Sequence, residues 1–348
     1  MKRFAFWVIF VTAFISITTS AALSQRSPLT NGTTEESPPV VVPTLPTARP
    51  WQDVKLLHTL QYAHWGPVWS LTFSRDGNFL ASGGGEIDNR IRIWNPKTGR
   101  RRSSFQAHSI RVMGLAFTPD SRTIASGSDD KNIIFWNVKD GKLTRRFIDP
   151  ITNILSLAIT PDGETLISGG LDGIRLWEIK TQRLLYTLAP LAQPMIYSLA
   201  VSPNQPLFVS GGRAGVVQLW NITNGQSIGI IGRHEGAISS VAFSPDGDSI
   251  VSASYDHTVK VWNLSTRRSF TLTGHNNVVN AVAVNPDGRT LASAGRDGVR
   301  LWDIRTGQQI GAIPGYSDWV QTLAFSPDGQ LLATGGYDGT IRIWQAVY

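Results

Sequence analysis

A tryptophan recurs seven times along this 348-residue chain, at Trp94, Trp136, Trp177, Trp220, Trp262, Trp302 and Trp344, each 40–43 residues after the last. Each closes a short run rich in β-branched residues that follows a glycine-rich turn. A second marker keeps the same phase: Ser-Pro-Asp-Gly or a near copy, carried by Asp76, Asp120, Asp162, Asn204, Asp246, Asp287 and Asp328. Two independent markers in step over most of the chain define a repeat protein. A repeat of this length is one supersecondary unit, which buries its core only by stacking on copies of itself.

The final unit shows what one copy contains. Val320–Phe325 is an apolar run, Ser326-Pro327-Asp328-Gly329 a tight turn and 331–334 a second run; glycines at 335, 336 and 339 then turn the chain into 340–344. Earlier units add a fourth run, such as 145–148 after Asp140-Gly141. Strands of about five residues between Asp-Gly turns form up-and-down antiparallel sheets. One such sheet buries too little by itself. Seven set side by side around an axis cover both faces of each, which predicts an all-β, seven-bladed propeller. The last unit ends at its third strand, and Val54–Leu60 precedes the first unit. Pairing that early segment beside 341–344 closes the ring and removes its open edge. It also puts the N-terminal spacer and the C-terminus on one face, the bottom.

The domain plan is 1–23, 24–50 and 51–348. Lys2 and Arg3 precede an apolar stretch from Phe4 to Ile17, and small residues follow to Ser24. This is the layout of a secretory signal, with cleavage after Ala22 or Ser24, or of an uncleaved signal anchor. Either way the body is expected to be extracytoplasmic, secreted, periplasmic or membrane-tethered, and any membrane attachment runs through this segment. Residues 24–50 hold Pro28, Pro38, Pro39, Pro43, Pro46 and Pro50, which exclude a helix and a sheet interior and predict a disordered linker. The chain has no cysteine, so disulfides and thiolate chemistry are excluded. Formal charge is +7, but no basic run exceeds Arg100-Arg101-Arg102, and scattered charge argues against nucleic acid as a partner.

The run Ala125-Ser126-Gly127-Ser128-Asp129-Asp130, ending in Phe135-Trp136 with His108 earlier in the same unit, resembles the WD40 repeat. The likeness covers residues 51–348 and returns in all seven units. Only Trp302-Asp303 is a true Trp-Asp; the other tryptophans are followed by Asn95, Asn137, Glu178, Asn221, Asn263 and Gln345. The resemblance implies a buried hydrogen-bonded set in each blade. Complete sets are His64, Ser82, Asp88, Trp94; His108, Ser126, Asp130, Trp136; His234, Ser252, Asp256, Trp262; and His275, Ser293, Asp297, Trp302. The seventh unit has Tyr316 in place of His, with Thr334, Asp338 and Trp344. The third has Pro150 with Ser168, Asp172 and Trp177. The fourth has Ala192, Ser210, Ala214 and Trp220, which lacks two partners and marks that blade as the least rigid wall.

Four Ser/His/Asp combinations invite a hydrolase reading. Each has a Trp to serve, and buried strands offer no oxyanion site. Gly225-Gln226-Ser227-Ile228-Gly229 matches a nucleophile elbow, yet falls where other units place a hairpin turn rather than a strand-to-helix turn. The acidic turns are one blade apart and followed by Gly, as tight turns require, so no metal site is expected. Phosphate loops, dinucleotide fingerprints and zinc spacings are missing, and no cofactor is expected. The chain reads as a non-enzyme.

The resemblance also implies that partners dock on the top face, through three positions in each blade. The residues just after the first core hydrophobe of each inner strand are Trp69, Met113, Leu155, Tyr197, Ser239, Asn280 and Gln321. Those just before it include Arg111, Asn153, Met195 and Trp319. Those preceding the turn Asp include Ile87, Asp129, Arg213, Tyr255, Arg296 and Tyr337. The set is rich in Trp, Tyr, Met and Arg, the residues of which interface hot spots are made. Trp319, Tyr337, Trp69, Ile87 and Met113, from blades seven, one and two, are expected to form a continuous apolar arc. The function expected is a monomeric interaction scaffold that binds a protein or peptide on this face. The alternative is a propeller that takes a small molecule or glycan in the central top pocket. An open apolar arc favours the first, and a deep pocket with converging polar groups the second.

Overall fold

The computed structural model describes residues 51–347, except Glu86, 148–151 and 190–193. The signal and linker readings, Pro150 and Ala192 lie outside these residues. Residues 48–348 form one compact unit. It consists of seven four-stranded antiparallel sheets, and among the described residues every regular element is a strand. Blade one runs outward through Val68–Phe73, Leu80–Gly84, Arg90–Trp94 and Arg101–Gln106. Blades two to six repeat it in chain order. Blade seven takes Val320–Phe325, Leu331–Gly336 and Ile341–Ala346 from the end of the chain and Val54–Leu60 from its start. That last pairing runs from Val54 opposite Ala346 to Leu60 opposite Ile341, which closes the ring as the sequence predicts.

The alternation of the repeat explains the core. Val68 and Leu71 of the first inner strand, with Leu80 and Trp94 behind them, pack on Ala333, Ile341 and Ile343 of blade seven. Ala81, Ile91 and Ile93 on the other side pack on Val112, Leu115, Ile124 and Trp136 of blade two. Each sheet thus buries both faces of its second and third strands, whereas the outer strand, such as Arg101–Gln106, is exposed or half-buried. Blade spacing is set by small residues in the second strand. A Cβ on Gly127 would lie 2.5 Å from a methyl of Ile154 in the next blade, so the Ser-Gly step of the repeat is needed for close approach. Inner strands are further tied across blades by serine. Ser70 Oγ donates to the Val112 carbonyl at 3.2 Å, and Ser156 Oγ accepts the Leu199 N–H at 3.0 Å. Such bonds satisfy main-chain groups that a packed interior cannot hydrate.

Candidate interaction site

The polar side chains of the blade interiors come first, because they carry the groups that resemble catalysts. In blade two, His108 Nδ1 lies 3.0 Å from both oxygens of Asp130, Nε2 is 2.7 Å from Ser126 Oγ, and Trp136 Nε1 donates to that Oγ at 2.8 Å. The carboxylate accepts a hydrogen bond from Nδ1–H, so Nε2 accepts from the serine and the serine accepts from the indole. Blades five and six repeat this through His234, Ser252, Asp256, Trp262 and His275, Ser293, Asp297, Trp302, at 2.6–2.9 Å. The same carboxylates cap the loop that carries the histidine: the N–H groups of Ser109, Glu235 and Asn276 donate to Asp130, Asp256 and Asp297.

Blade one differs in its proton order. Arg92 Nη1 sits 2.5 Å from Asp88 and 2.7 Å from His64 Nδ1. A guanidinium only donates, so Nδ1 accepts here and Nε2 carries the proton towards Ser82 Oγ at 2.7 Å. Blade seven shortens the chain: Trp344 donates directly to Tyr316 Oη at 2.9 Å, which also meets Thr334 Oγ1. Burial pushes the Tyr316 phenol up to about 12, so it stays protonated. In blade three Trp177 bonds Ser168 at 2.9 Å, and Asp172 is held by two nitrogens of Arg175. Blade four keeps only Trp220 on Ser210 at 2.8 Å, with the indole stacked on Phe208 at 5.9 Å and 6°.

These groups titrate as structural ones do. Burial lowers His64, His234 and His275 against the pull of their carboxylates. Burial opposes the charge on Asp256, yet hydrogen bonds from Thr258 and His234 outweigh it and bring the carboxyl to about 2. Asp88 and Asp130 are held below the usual carboxylate range by the same contest, with bonds from Arg92 and the Trp65 N–H in one and from His108 and the Ser109 N–H in the other. Each serine hydroxyl is buried and engaged by an indole, which leaves no room for a substrate carbonyl beside it. Among the described residues, no three His, Asp or Glu side chains group as a metal site.

The top face collects the rest. All seven residues that follow the first core hydrophobe converge on the mouth of the central channel. Trp69, Met113, Leu155, Tyr197, Ser239, Asn280 and Gln321, joined by Tyr255, line a cavity of about 340 Å³. Two polar members are already occupied across blade junctions: Ser239 Oγ donates to the Val279 carbonyl at 2.5 Å, and Asn280 Nδ2 to the Val320 carbonyl at 3.1 Å. Beside this mouth, Trp65, Gly66, Pro67, Trp69, Ile87 and Tyr337 line a second hollow of about 100 Å³. Its walls are open to solvent, with Trp65 71%, Ile87 83% and Tyr337 48% exposed.

The expected apolar arc therefore exists in part. Tyr337, Trp69 and Ile87 share the small hollow, and Met113 shares the channel mouth with Trp69. Trp319 lines neither; its carbonyl accepts the Tyr337 N–H at 2.8 Å, and the Arg296 guanidinium lies over its ring at 5.9 Å. Arg111 covers Trp69 in the same way at 5.4 Å while pairing with buried Asp129 at 2.5 Å. Asn153 donates to the other oxygen of Asp129 at 3.2 Å. The arc is thus interrupted by cations, because the negative face of a half-buried ring draws guanidinium groups onto it. Arg213 reaches the Met195 sulfur at 3.5 Å, further round the rim.

The family model "WD domain, G-beta repeat" matches residues 54–95, 99–137, 141–178, 183–221, 225–263, 266–303 and 307–345. The chain belongs to the WD40 family. Among curated WD40 relatives it is 45% identical to Superkiller complex protein 8 of Dictyostelium discoideum over 62 residues, 18% of this chain and 20% of that one. It is 39% identical to COMPASS component SWD3 of Saccharomyces cerevisiae over 74 residues, 21% and 22% of the two chains. It is 32% identical to a guanine nucleotide-binding protein subunit beta of Zea mays over 75 residues, 22% and 19%. The alignments thus span about a fifth of each relative. All three relatives are named as parts of larger assemblies.

Three features of this WD40 ring escape a reading based on the family pattern. The residue two before the motif Trp faces the blade's Asp in four blades, as Arg92, Arg175, Arg300 and Arg342. Lys260 stands at the same place in blade five and bonds the Arg233 carbonyl at 2.9 Å. A cation recurring there in five units was a readable signal. Trp51 is the second: it precedes the first blade yet is fully buried, its ring 5.0 Å from Phe325 and its N–H on the Gly329 carbonyl at 3.2 Å. The third is Trp65, whose exposure depends on the loop that carries it away from His64.

Proposed function

We propose that this propeller is a non-catalytic interaction scaffold, and that it takes a protein or peptide segment across the top rim of blades seven and one. The observation that carries the reading is the exposed group Trp65, Ile87 and Tyr337 around one shallow hollow that opens beside the channel mouth. A ring as large as an indole, left in water beside two other apolar groups, is costly until a partner covers it. The shape suits an extended segment whose apolar anchor enters the hollow while its backbone crosses towards the mouth. Arg296, over the Trp319 ring, borders that path and favours polar or acidic flanks. The subunit and component names of the relatives agree with a scaffold role.

The test is quantitative affinity capture with the wild type, Trp65→Ala and Tyr337→Ala as baits, each verified as folded. Partners should be depleted at least fivefold on both variants. Equal recovery on all three would remove the rim as the docking site. The second reading, a glycan or small molecule in the channel mouth, draws on the rings of Trp69, Tyr197 and Tyr255 around about 340 Å³. It predicts that Tyr197→Ala and Tyr255→Ala abolish binding while Trp65→Ala leaves it intact. From residues 1–23 alone we place the body outside the cytoplasm, and N-terminal sequencing of the exported product tests that.

A further inference from the structure

The outside of the ring holds a seat that is filled once and empty once. In every blade one residue of the outer strand pairs with the residue just before the motif Trp. Glycine stands there in two blades, Gly311 opposite Leu301 and Gly229 opposite Leu219. At the junction of blades six and seven, a Cβ on Gly311 would lie 3.3 Å from the carbonyl oxygens of Trp51 and Gln52. The missing side chain makes room for the chain's own entry segment. Trp51 there shares one packed cluster with Leu301, Ile313, Phe325 and Trp344.

At the junction of blades four and five, a Cβ on Gly229 would meet nothing within 4 Å. A groove of about 610 Å³ opens there instead. Four of its lining residues match positions of the filled seat: Leu219 stands for Leu301, Ile228 for Ile310, Gly247 for Gly329 and Trp262 for Trp344, while the counterpart of Ile313 is Gly232, which lies against the Trp262 ring. Gly329 is the residue whose carbonyl receives the Trp51 N–H, so the matching acceptor is Gly247. Ile228 and Ile230 are left 54% and 38% exposed. The charge at the rim is net positive, two arginines against the single carboxylate of Asp248. Asp248 is engaged by Asn263 Nδ2 at 2.8 Å and by Ser265, whereas Arg267 and Arg268 are exposed and carry no ion pair among the described residues.

We propose that the groove between blades four and five is a second docking site, which takes an extended acidic segment of a partner protein through a tryptophan side chain. The indole enters beside Trp262 as Trp51 enters beside Trp344, the backbone passes over Gly229, and acidic flanking residues meet Arg267 and Arg268. This site is on the outer wall and does not depend on the top-face reading.

The probe is a fluorescein-labelled peptide, Asp-Pro-Trp-Gln-Asp-Val, which copies the chain from Pro50 to Val54 behind one added acid. Fluorescence anisotropy should show saturable binding to the intact protein with a Kd below about 1 mM. Ile228→Asp, the double variant Arg267→Glu/Arg268→Glu, and alanine for tryptophan in the peptide should each weaken it roughly tenfold or more. All altered side chains are exposed, and a thermal melt within a few degrees of wild type verifies the fold. Trp65→Ala should leave the affinity unchanged. The proposal is overturned by absent saturation, by binding that Ile228→Asp leaves intact, or by binding lost with Trp65→Ala. A mass that doubles with protein concentration in ultracentrifugation, and is restored by Ile228→Asp, would assign the groove to a second copy of the chain instead.

Discussion

Blades two and four have the same four strands and the same tryptophan, but they bury different chemistry. Blade two encloses a closed chain from Asp130 through His108 and Ser126 to Trp136. Blade four retains the last link alone, Ser210 to Trp220, and stacks the indole on Phe208 instead. Its buried Gln218 turns to Ser227 at 2.8 Å, where five other blades place a cation and blade two has Ile134. Both sheets pair all four strands in the same order, so the polar chain is not what forms a blade. Burial of the apolar faces between neighbours does that, and the polar chain satisfies groups which the fold has already taken out of water.

If burial dominates, truncating the tryptophan should cost both blades alike. Trp136→Ala and Trp220→Ala are each expected to lose about 3–5 kcal/mol, read from denaturant midpoints at constant m-value. A loss below about 1 kcal/mol in blade four would break the comparison by showing that its interior is poorly packed. The serines separate the blades. Ser210→Ala orphans one indole N–H, for about 1–3 kcal/mol, whereas Ser126→Ala orphans an indole and an imidazole and should cost about twice as much. Equal losses would mean that His108 finds another partner.

The difference between the blades also marks what was legible beforehand. Ring closure, the seven sheets and the internal sets are periodic, so every unit votes for them, and the few absences in blade four stood out against six other copies. The top-face positions, taken from the family resemblance, are periodic as well, which is why seven residues carried over by register converge on one mouth. What was not legible breaks the period. Trp51 lies outside the repeats, and its seat exists because Gly311 stands in blade six where five other blades carry a larger side chain. The arginine caps on Trp69 and Trp319 depend on contacts between blades, which no single unit encodes. Trp65 follows His64 directly, and only the loop's path decides that one is buried and its neighbour exposed.

Acid should sharpen the contrast, with a smaller effect. Burial lowers His234 and His275 from their ordinary 6.5, so the unfolded chain takes up their protons first. Stability from these groups is complete above pH 6.5 and declines as pH falls below it, by at most about 1.4 kcal/mol per pH unit for each. Asp256, lowered from 3.8 to about 2, adds a second decline between those values. Ser210, Gln218 and Trp220 do not titrate, so blade four contributes to neither window. The check is a series of denaturation midpoints from pH 7 to pH 3 for wild type and His234→Gln. The variant should start lower and fall less steeply between pH 6.5 and 5; a parallel curve would show that His234 is not protonated on unfolding.

The smallest expected change in stability falls at the rim, and its size is what makes it informative. Trp65 carries as large a ring as Trp136, yet it is 71% exposed where Trp136 is buried. Removing it gives back little apolar burial, so Trp65→Ala should shift stability by no more than about 0.5 kcal/mol. Each interior tryptophan, in contrast, costs several times that when truncated. If Trp65→Ala instead destabilises the ring by about 2 kcal/mol or more, the loop is part of the fold and its exposed ring is not held in reserve for a partner. A neutral variant that loses its captured proteins would show the two uses of one residue type in a single chain: inside a blade the indole supports the sheet, and on the rim it waits for contact.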